Sequence, residues 1–290
     1  MSFRHTIARD ITTCGAALHA GVTVTMTLSA APAGQGVVFV RTDLGGKKIP
    51  ALYSHVAETR LGTVLEKDGA RVGVVEHLMA AVAGAGLDDL TVTLDGPEPP
   101  ILEGDALSYL QLIRQAGLKS QNVPREAIEV LKPVSVTQKD ATASLFPAAA
   151  PSYEFEIDFA AATIGRQTMS LDFSPASFAE IIAPARTFGF VRELESLHAM
   201  NLAKGASLEN TLALDDNGLV NPALQRFPDE FVRHKILDAI GDMALAGAPL
   251  LARFRGQRSG HATNNALLRA LFSDQTAWRR VPFPDAAGVL

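Results

Sequence analysis

Two separate stretches of this chain run through the same order of elements, and no other feature restricts the fold as much. Residues 76–116 begin with Glu76-His77-Leu78-Met79-Ala80-Ala81-Val82-Ala83-Gly84-Ala85-Gly86, a helical run closed by glycine. The strand-like Leu90 to Leu94 follows, then a turn over Gly96 to Pro100, then a second helical run from Asp105 to Ala116. Residues 232–272 repeat that order: a helix with Ile236, Leu237 and Ile240 at helical spacing, the pair Ala246-Gly247, a strand at Leu250 to Phe254, and a helix from about Asn264 to Phe272. Alternating, strand-like segments precede each unit. They include residues 3–10, Val22 to Ala30 and Val37 to Arg41 before the first, and Val134 to Thr137, Tyr153 to Phe159 and Thr168 to Phe173 before the second.

A helix is apolar along one stripe and a sheet on one face, so each unit must bury the two against each other. The expectation is an α+β fold of two similar domains, each a β-sheet packed on helices as a two-layer sandwich. The first covers 1–121, with a small insert of mixed short pieces at about 42–66, and the second covers 127–275. Ser120 to Glu126, with Pro124, reads as a linker, Cys14 to Gly21 as a turn-like stretch, and 276–290, with Pro282 and Pro284, as a surface tail. A cleft between two like domains is a usual place for a site.

Composition removes several classes of function. Net charge is −5 with both signs scattered, whereas a nucleic-acid surface shows as a basic stripe. The single cysteine, Cys14, supplies neither a disulfide framework nor a Cys-rich zinc module. No run of ~20 apolar residues exists, so no membrane span is expected. The start, Met1-Ser2-Phe3-Arg4-His5-Thr6, lacks the apolar core of a signal peptide. A cytoplasmic monomer acting on a small molecule is the simplest expectation.

His234 and Asp238 lie four residues apart on the later helix, so both side chains leave one face, roughly 6 Å apart. Alone, such a pair is more often an exposed hydrogen bond than half of a metal site. The equivalent helix of the first half opens with Glu76 and His77. Packed across a cleft, the two helices can bring His77, His234 and Asp238 together. Three nitrogen and oxygen donors with one open position describe a catalytic zinc site. Zinc lowers the pKa of a coordinated water from ~15.7 towards ~7, and Glu76 could take the proton. His261, in Ser259-Gly260-His261-Ala262-Thr263-Asn264-Asn265 at a strand-to-helix turn, is the candidate acid. Asp242, one turn beyond Asp238, could orient it and keep it protonated. Thr187 offers a hydroxyl for an oxyanion. Each has a plainer alternative: Glu76 as an acidic residue favoured at a helix start, His77 as a polar surface residue, His261 as a loop cap.

Three segments together are more specific than any of these residues. Val75 to Ala81, Val232 to Asp242 and Ser259 to Asn265 resemble the signature segments of the UDP-3-O-acyl-N-acetylglucosamine deacetylase family, zinc enzymes of lipid A synthesis. The similarity runs from about Thr6 to Leu271 and includes Gly15 to Gly21, Thr59-Arg60-Leu61-Gly62-Thr63, Arg186-Thr187-Phe188 and Asn221 to Glu230. The resemblance implies His77, His234 and Asp238 as ligands of Zn2+, with Fe2+ as the other metal such donors admit. It implies Glu76 as general base, His261 as general acid or electrostatic stabiliser with Asp242 as its partner, and Thr187 at the oxyanion. Lys235 matches a lysine that contacts the substrate, and Phe188 is counted among the substrate contacts. Phe159 falls where the family stacks the uracil ring, and Arg258 falls near the nucleotide phosphates. A second insert, about 188–214, would wall a passage for the acyl chain. Leu194, Leu197 and Met200 suit that lining and would equally suit ordinary core.

The chain departs from the family pattern at Glu103-Gly104-Asp105, where Asp-Gly-Ser is common, and at Ala206 and Glu209. A catalytically silent binder of nucleotide-sugar lipids would be expected to have lost part of the catalytic set, and every member is present. A zinc amidohydrolase with another substrate would share the metal and differ in the passage and uracil contacts.

Overall fold

The computed structural model describes residues 2–284. The α-helices of the described residues are α1 (Glu76–Gly84), α2 (Leu107–Ala116), the short α3 (Pro175–Ser177), α4 (Leu194–Ala199), α5 (Glu230–Ala244) and α6 (His261–Ser273). The first large sheet has the spatial order Ile11–Ala16, Thr23–Ala30, Leu90–Leu94, Val37–Arg41, Lys47–Pro50. Its middle strand, Leu90–Leu94, is the one between α1 and α2, antiparallel to Thr23–Ala30 and parallel to Val37–Arg41. The second large sheet is built the same way around Leu250–Gln257, the strand between α5 and α6. That strand runs parallel to Glu126–Val130 and to Ser152–Asp158 and antiparallel to Ala141–Pro147. The fold is therefore α+β, with sheets packed against helices, as the repeated order of elements implies.

Helices α1 and α5 make the most extensive helix–helix contact in the molecule. Eight of the nine residues of α1 are buried, so it is covered on all sides rather than along one stripe. At the crossing sits Gly241: a Cβ there would lie 2.0 Å from the carbonyl oxygen of Glu76. Only a residue without a side chain lets the two helices approach this closely.

Several segments differ from the sequence expectation. Ser120 to Glu126 is not a free linker. Leu118–Pro124 is a strand pairing antiparallel with Phe3–Ile7, and Pro124 is tolerated because it closes the edge of a two-stranded ribbon. Cys14, Gly15 and Ala16 belong to a strand, not a turn. The tail is not merely draped on the surface: Trp278–Pro282 pairs with Glu126–Val130, Ala277 is buried, and Trp278 meets the Phe272 ring edge-on. Residues 285–290 of that expected tail lie outside the described residues. Two small three-stranded sheets stand apart from the large ones. One joins Val56–Glu58, Val64–Lys67 and Ala70–Val72, and the other joins Phe188–Phe190, Leu212–Asp215 and Gly218–Leu219. No helix of the described residues is long and apolar enough to cross a membrane.

Candidate functional site

The start of α1 and the middle of α5 face each other beside the Gly241 crossing, and this brings His77 to His234 and Asp238. One ligand atom from each of the three lies within 4.8 Å of the other two, and all three residues are buried. Asp238 turns Oδ1 towards both rings, 3.7 Å from His77 Nε2 and 3.4 Å from His234 Nε2. Donors ~2.05 Å from a tetrahedral ion stand ~3.3 Å apart, so these separations are close to those of a coordinated set. The two rings meet edge-to-face with centroids 4.9 Å apart.

The protonation states suit a cation. Burial, then the neighbouring His234 ring, pushes His77 down to about 3. Burial holds His234 below its ordinary value, against the pull of Asp238. Burial alone would raise Asp238, but Lys235 and the surrounding histidines hold it well below the usual carboxylate range. Two neutral imidazoles and one ionised carboxylate are the forms that bind a divalent ion, and the trio could hold one. The rings are supported differently. His234 Nδ1 lies 3.1 Å from the Ala185 carbonyl oxygen. A carbonyl can only accept, so Nδ1 carries the proton and Nε2 presents its lone pair. His77 Nδ1 is buried with no partner among the described residues.

Glu76, His261 and Asp242 form a second row beside this trio. Asp242 Oδ2 lies 2.9 Å from His261 Nδ1 and also accepts the Asn264 side-chain amide at 2.9 Å. Its Oδ1 accepts the Thr63 hydroxyl at 2.6 Å. Glu76 Oε2 accepts the Thr63 backbone N–H at 3.0 Å, and its Oε1 lies 3.7 Å from His261 Nε2. Beside it the backbone takes φ +149° at Gly62, where a Cβ would sit 3.1 Å from Glu76 Oε1. Burial, reinforced by the charges of Asp238 and Asp242 and opposed by His261, pushes Glu76 up to about 7. Burial pulls His261 down, but the charges of Asp242 and Glu76 and the Asp242 hydrogen bond outweigh it and push the ring up to about 10. At neutral pH the site therefore sets a carboxylate near its midpoint beside a protonated imidazole, a pairing suited to moving protons in both directions.

The other residues singled out from sequence fall around this centre. Lys235 turns in towards the trio: Nζ is 2.6 Å from Asp238 Oδ2 and 5.6 Å from the Phe188 ring centroid. Its flexible stem lets the ammonium reach the nearest carboxylate three residues on. Phe188 stacks edge-on to Phe231 at 5.0 Å and to Phe159 at 5.6 Å, and stands 6.2 Å from the His234 ring. Thr187 is held through its backbone, donating to the Gly104 carbonyl at 2.8 Å and accepting from Leu212 at 2.9 Å. Arg258 takes φ +50° and is engaged by Asp158 at 2.5 Å and Asp140 at 3.5 Å. Leu194 and Met200 are exposed, and Leu197 is half-buried; Met200 Sδ lies 3.8 Å from the Arg60 guanidinium.

Glu103 and Asp105, the acidic departures, bind two arginines. Glu103 pairs with Arg186 at 2.9 Å and Arg226 at 2.5 Å. Asp105 also pairs with Arg226 and accepts the Ser108 N–H at 3.0 Å at the start of α2. Their charge is thus matched locally, and the bridges tie residues 103–105 to 186 and 226.

Sequence reasoning missed the supports. Thr63 and Asn264 lie inside segments that carried the family resemblance, but nothing in a hydroxyl or amide side chain marks it in advance as a partner of Asp242. A cavity of about 670 Å³ lies away from the site, near the C-terminal ends of α1 and α5, bounded by residues such as Val82, Leu87, Met243 and Leu250. It touches none of the residues above.

Comparison with known proteins shows the family. The family profile described as LpxC, UDP-3-O-acyl N-acetylglycosamine deacetylase, matches residues 4–273. The UDP-3-O-acyl-N-acetylglucosamine deacetylase of Myxococcus xanthus is 48% identical over 280 residues, covering 96% of this chain and 89% of its own length. The protein of that name from Phenylobacterium zucineum is 44% identical, covering 98% of both chains. The one from Shewanella baltica is 43% identical over all of this chain and 96% of its own. With the match spanning nearly the whole sequence, this chain belongs to the UDP-3-O-acyl N-acetylglycosamine deacetylase family.

Proposed function

We propose that this protein hydrolyses the acetamide of UDP-3-O-acyl-N-acetylglucosamine, releasing acetate and leaving a free amine on the sugar, the committed step of lipid A synthesis. The observation that carries this reading is the convergence of His77, His234 and Asp238, with Glu76 and His261 paired beside them. Zn2+, or Fe2+ in its place, would be held by those three ligands, polarising the acetamide carbonyl and acidifying an adjacent water. Glu76 takes a proton from the attacking water as its oxygen bonds to the acetyl carbon. The Thr187 hydroxyl and protonated His261 stabilise the charge that develops on the former carbonyl oxygen. His261 then gives a proton to the sugar nitrogen as the C–N bond breaks, and Asp242 holds the ring in the orientation and charge this needs. Lys235, Phe188 and Phe159 line the approach to the sugar and the base, with Arg258 at the nucleotide end. Leu194, Leu197 and Met200 take the acyl chain, consistent with the exposure of apolar Leu194 and Met200 to water. The protein acts in the cytoplasm as a monomer.

The deciding experiment measures metal content and acetate release together, with and without a chelator, for the wild type and Glu76→Ala. The wild type should carry one divalent ion per chain and lose activity on chelation. Glu76→Ala should keep the ion and lose turnover. Chelator-resistant activity, or full activity in the variant, would sink the assignment.

A further inference from the structure

One peptide unit in this site is bonded at both ends. The Ala185 carbonyl oxygen accepts the His234 Nδ1 proton at 3.1 Å. The N–H of the same peptide plane, that of Arg186, donates to Glu230 Oε1 at 2.8 Å. Glu230 is fully buried at the start of α5, one turn before His234. Its other oxygen accepts backbone N–H groups from Arg226 at 2.5 Å and Phe227 at 3.1 Å. A carboxylate, a peptide group and an imidazole therefore stand in one line of hydrogen bonds that ends at a metal-facing nitrogen.

From this geometry we infer that Glu230 is a positioning residue for the metal: it acts on His234 through the Ala185–Arg186 peptide and strengthens that ring as a ligand. The inference rests on the metal-site reading above. Histidine ligands commonly give their second N–H to a carboxylate or a backbone carbonyl, which orients the ring and raises its donor strength. Here both partners are used in series. A negative acceptor on the amide end pulls electron density towards the carbonyl end, and bonds in such chains polarise one another. The carbonyl then becomes a stronger acceptor for Nδ1–H, and Nε2 a stronger donor to the ion. Among the described residues His77 has no such support, since none of them partners its Nδ1. The two histidines should thus be unequal, with His234 the ring that the protein prepares.

The test is metal affinity, measured by competition between Zn2+ and a chromogenic chelator, for the wild type, Glu230→Gln and His77→Ala. Glu230→Gln should bind Zn2+ ~10–100-fold more weakly, the usual effect of losing an outer partner. In the Zn2+-loaded protein its His234 Nδ1 proton resonance should move upfield, which a loss of stability alone would not cause. Wild-type affinity in a folded Glu230→Gln protein would overturn the relay. Equal binding by His77→Ala and the wild type would overturn the metal site and the relay with it. A second measurement needs no variant: loading the wild type with Zn2+ should move the Arg186 amide proton downfield as the chain of bonds tightens. An unmoved Arg186 amide would also overturn the relay.

Discussion

Replacing Gly241 by alanine tests the claim that one helix crossing assembles the site. The added Cβ would stand 2.0 Å from the Glu76 carbonyl oxygen and 2.7 Å from its carbon, whereas ordinary contact begins at 3.4 Å. The helices must part by the difference, 3.4 − 2.0, or about 1.4 Å at that point, because the obstacle is backbone and cannot rotate away. Overpacking of this kind costs ~1–3 kcal/mol, offset by up to ~1 kcal/mol for removing a glycine from mid-helix. The protein should therefore fold with modestly reduced stability. The site should suffer more. His77 comes from α1 and the other two ligands from α5, and metal–ligand distances tolerate only about ±0.2 Å. Zn2+ affinity should fall at least ~10-fold, comparable with losing an outer partner, and turnover ~10²-fold, as for other misplacements near 1 Å. Chelator competition, acetate release and thermal unfolding of Gly241→Ala would separate the two effects. Wild-type affinity and turnover in the variant would refute the idea that this contact sets the ligand geometry.

Two further outcomes follow from the charges and the metal. In Asp242→Asn, His261 loses the neighbour that most raises it, so its proton leaves at lower pH. The alkaline limb of kcat should move towards neutrality, and kcat at neutral pH should fall by ~10²–10⁴; an unmoved limb would remove His261 as the acid. Stripping the metal should lower the thermal midpoint, since an ion at 100 times its Kd stabilises the folded state by ~2.7 kcal/mol. Identical melting with and without chelator would argue that no ion is held.

The helix–strand–helix order of each half could be read along the chain because apolar spacing and glycine stops are local signals. The site residues were partly readable for the same reason: His234, Asp238 and Asp242 follow the turn of one helix. Sheet membership was less accessible. Leu118–Pro124 and Trp278–Pro282 are polar, short and proline-bearing, and they become strands only because Phe3–Ile7 and Glu126–Val130 offer them edges. The acidic Glu103 and Asp105 could not be interpreted until Arg186 and Arg226 were found against them, more than 80 and 120 residues away.

What the residues alone established is which groups the chain owns and which of them share a helical face, because those are properties of local periodicity. Only folding in three dimensions decided that His77 joins His234 and Asp238, that Thr63 and Asn264 hold Asp242, and that a peptide at Ala185 links Glu230 to His234. These are contacts between distant parts of the chain, set by how closely α1 and α5 can approach and by which backbone groups burial leaves seeking a partner. No pattern of neighbouring residues encodes them.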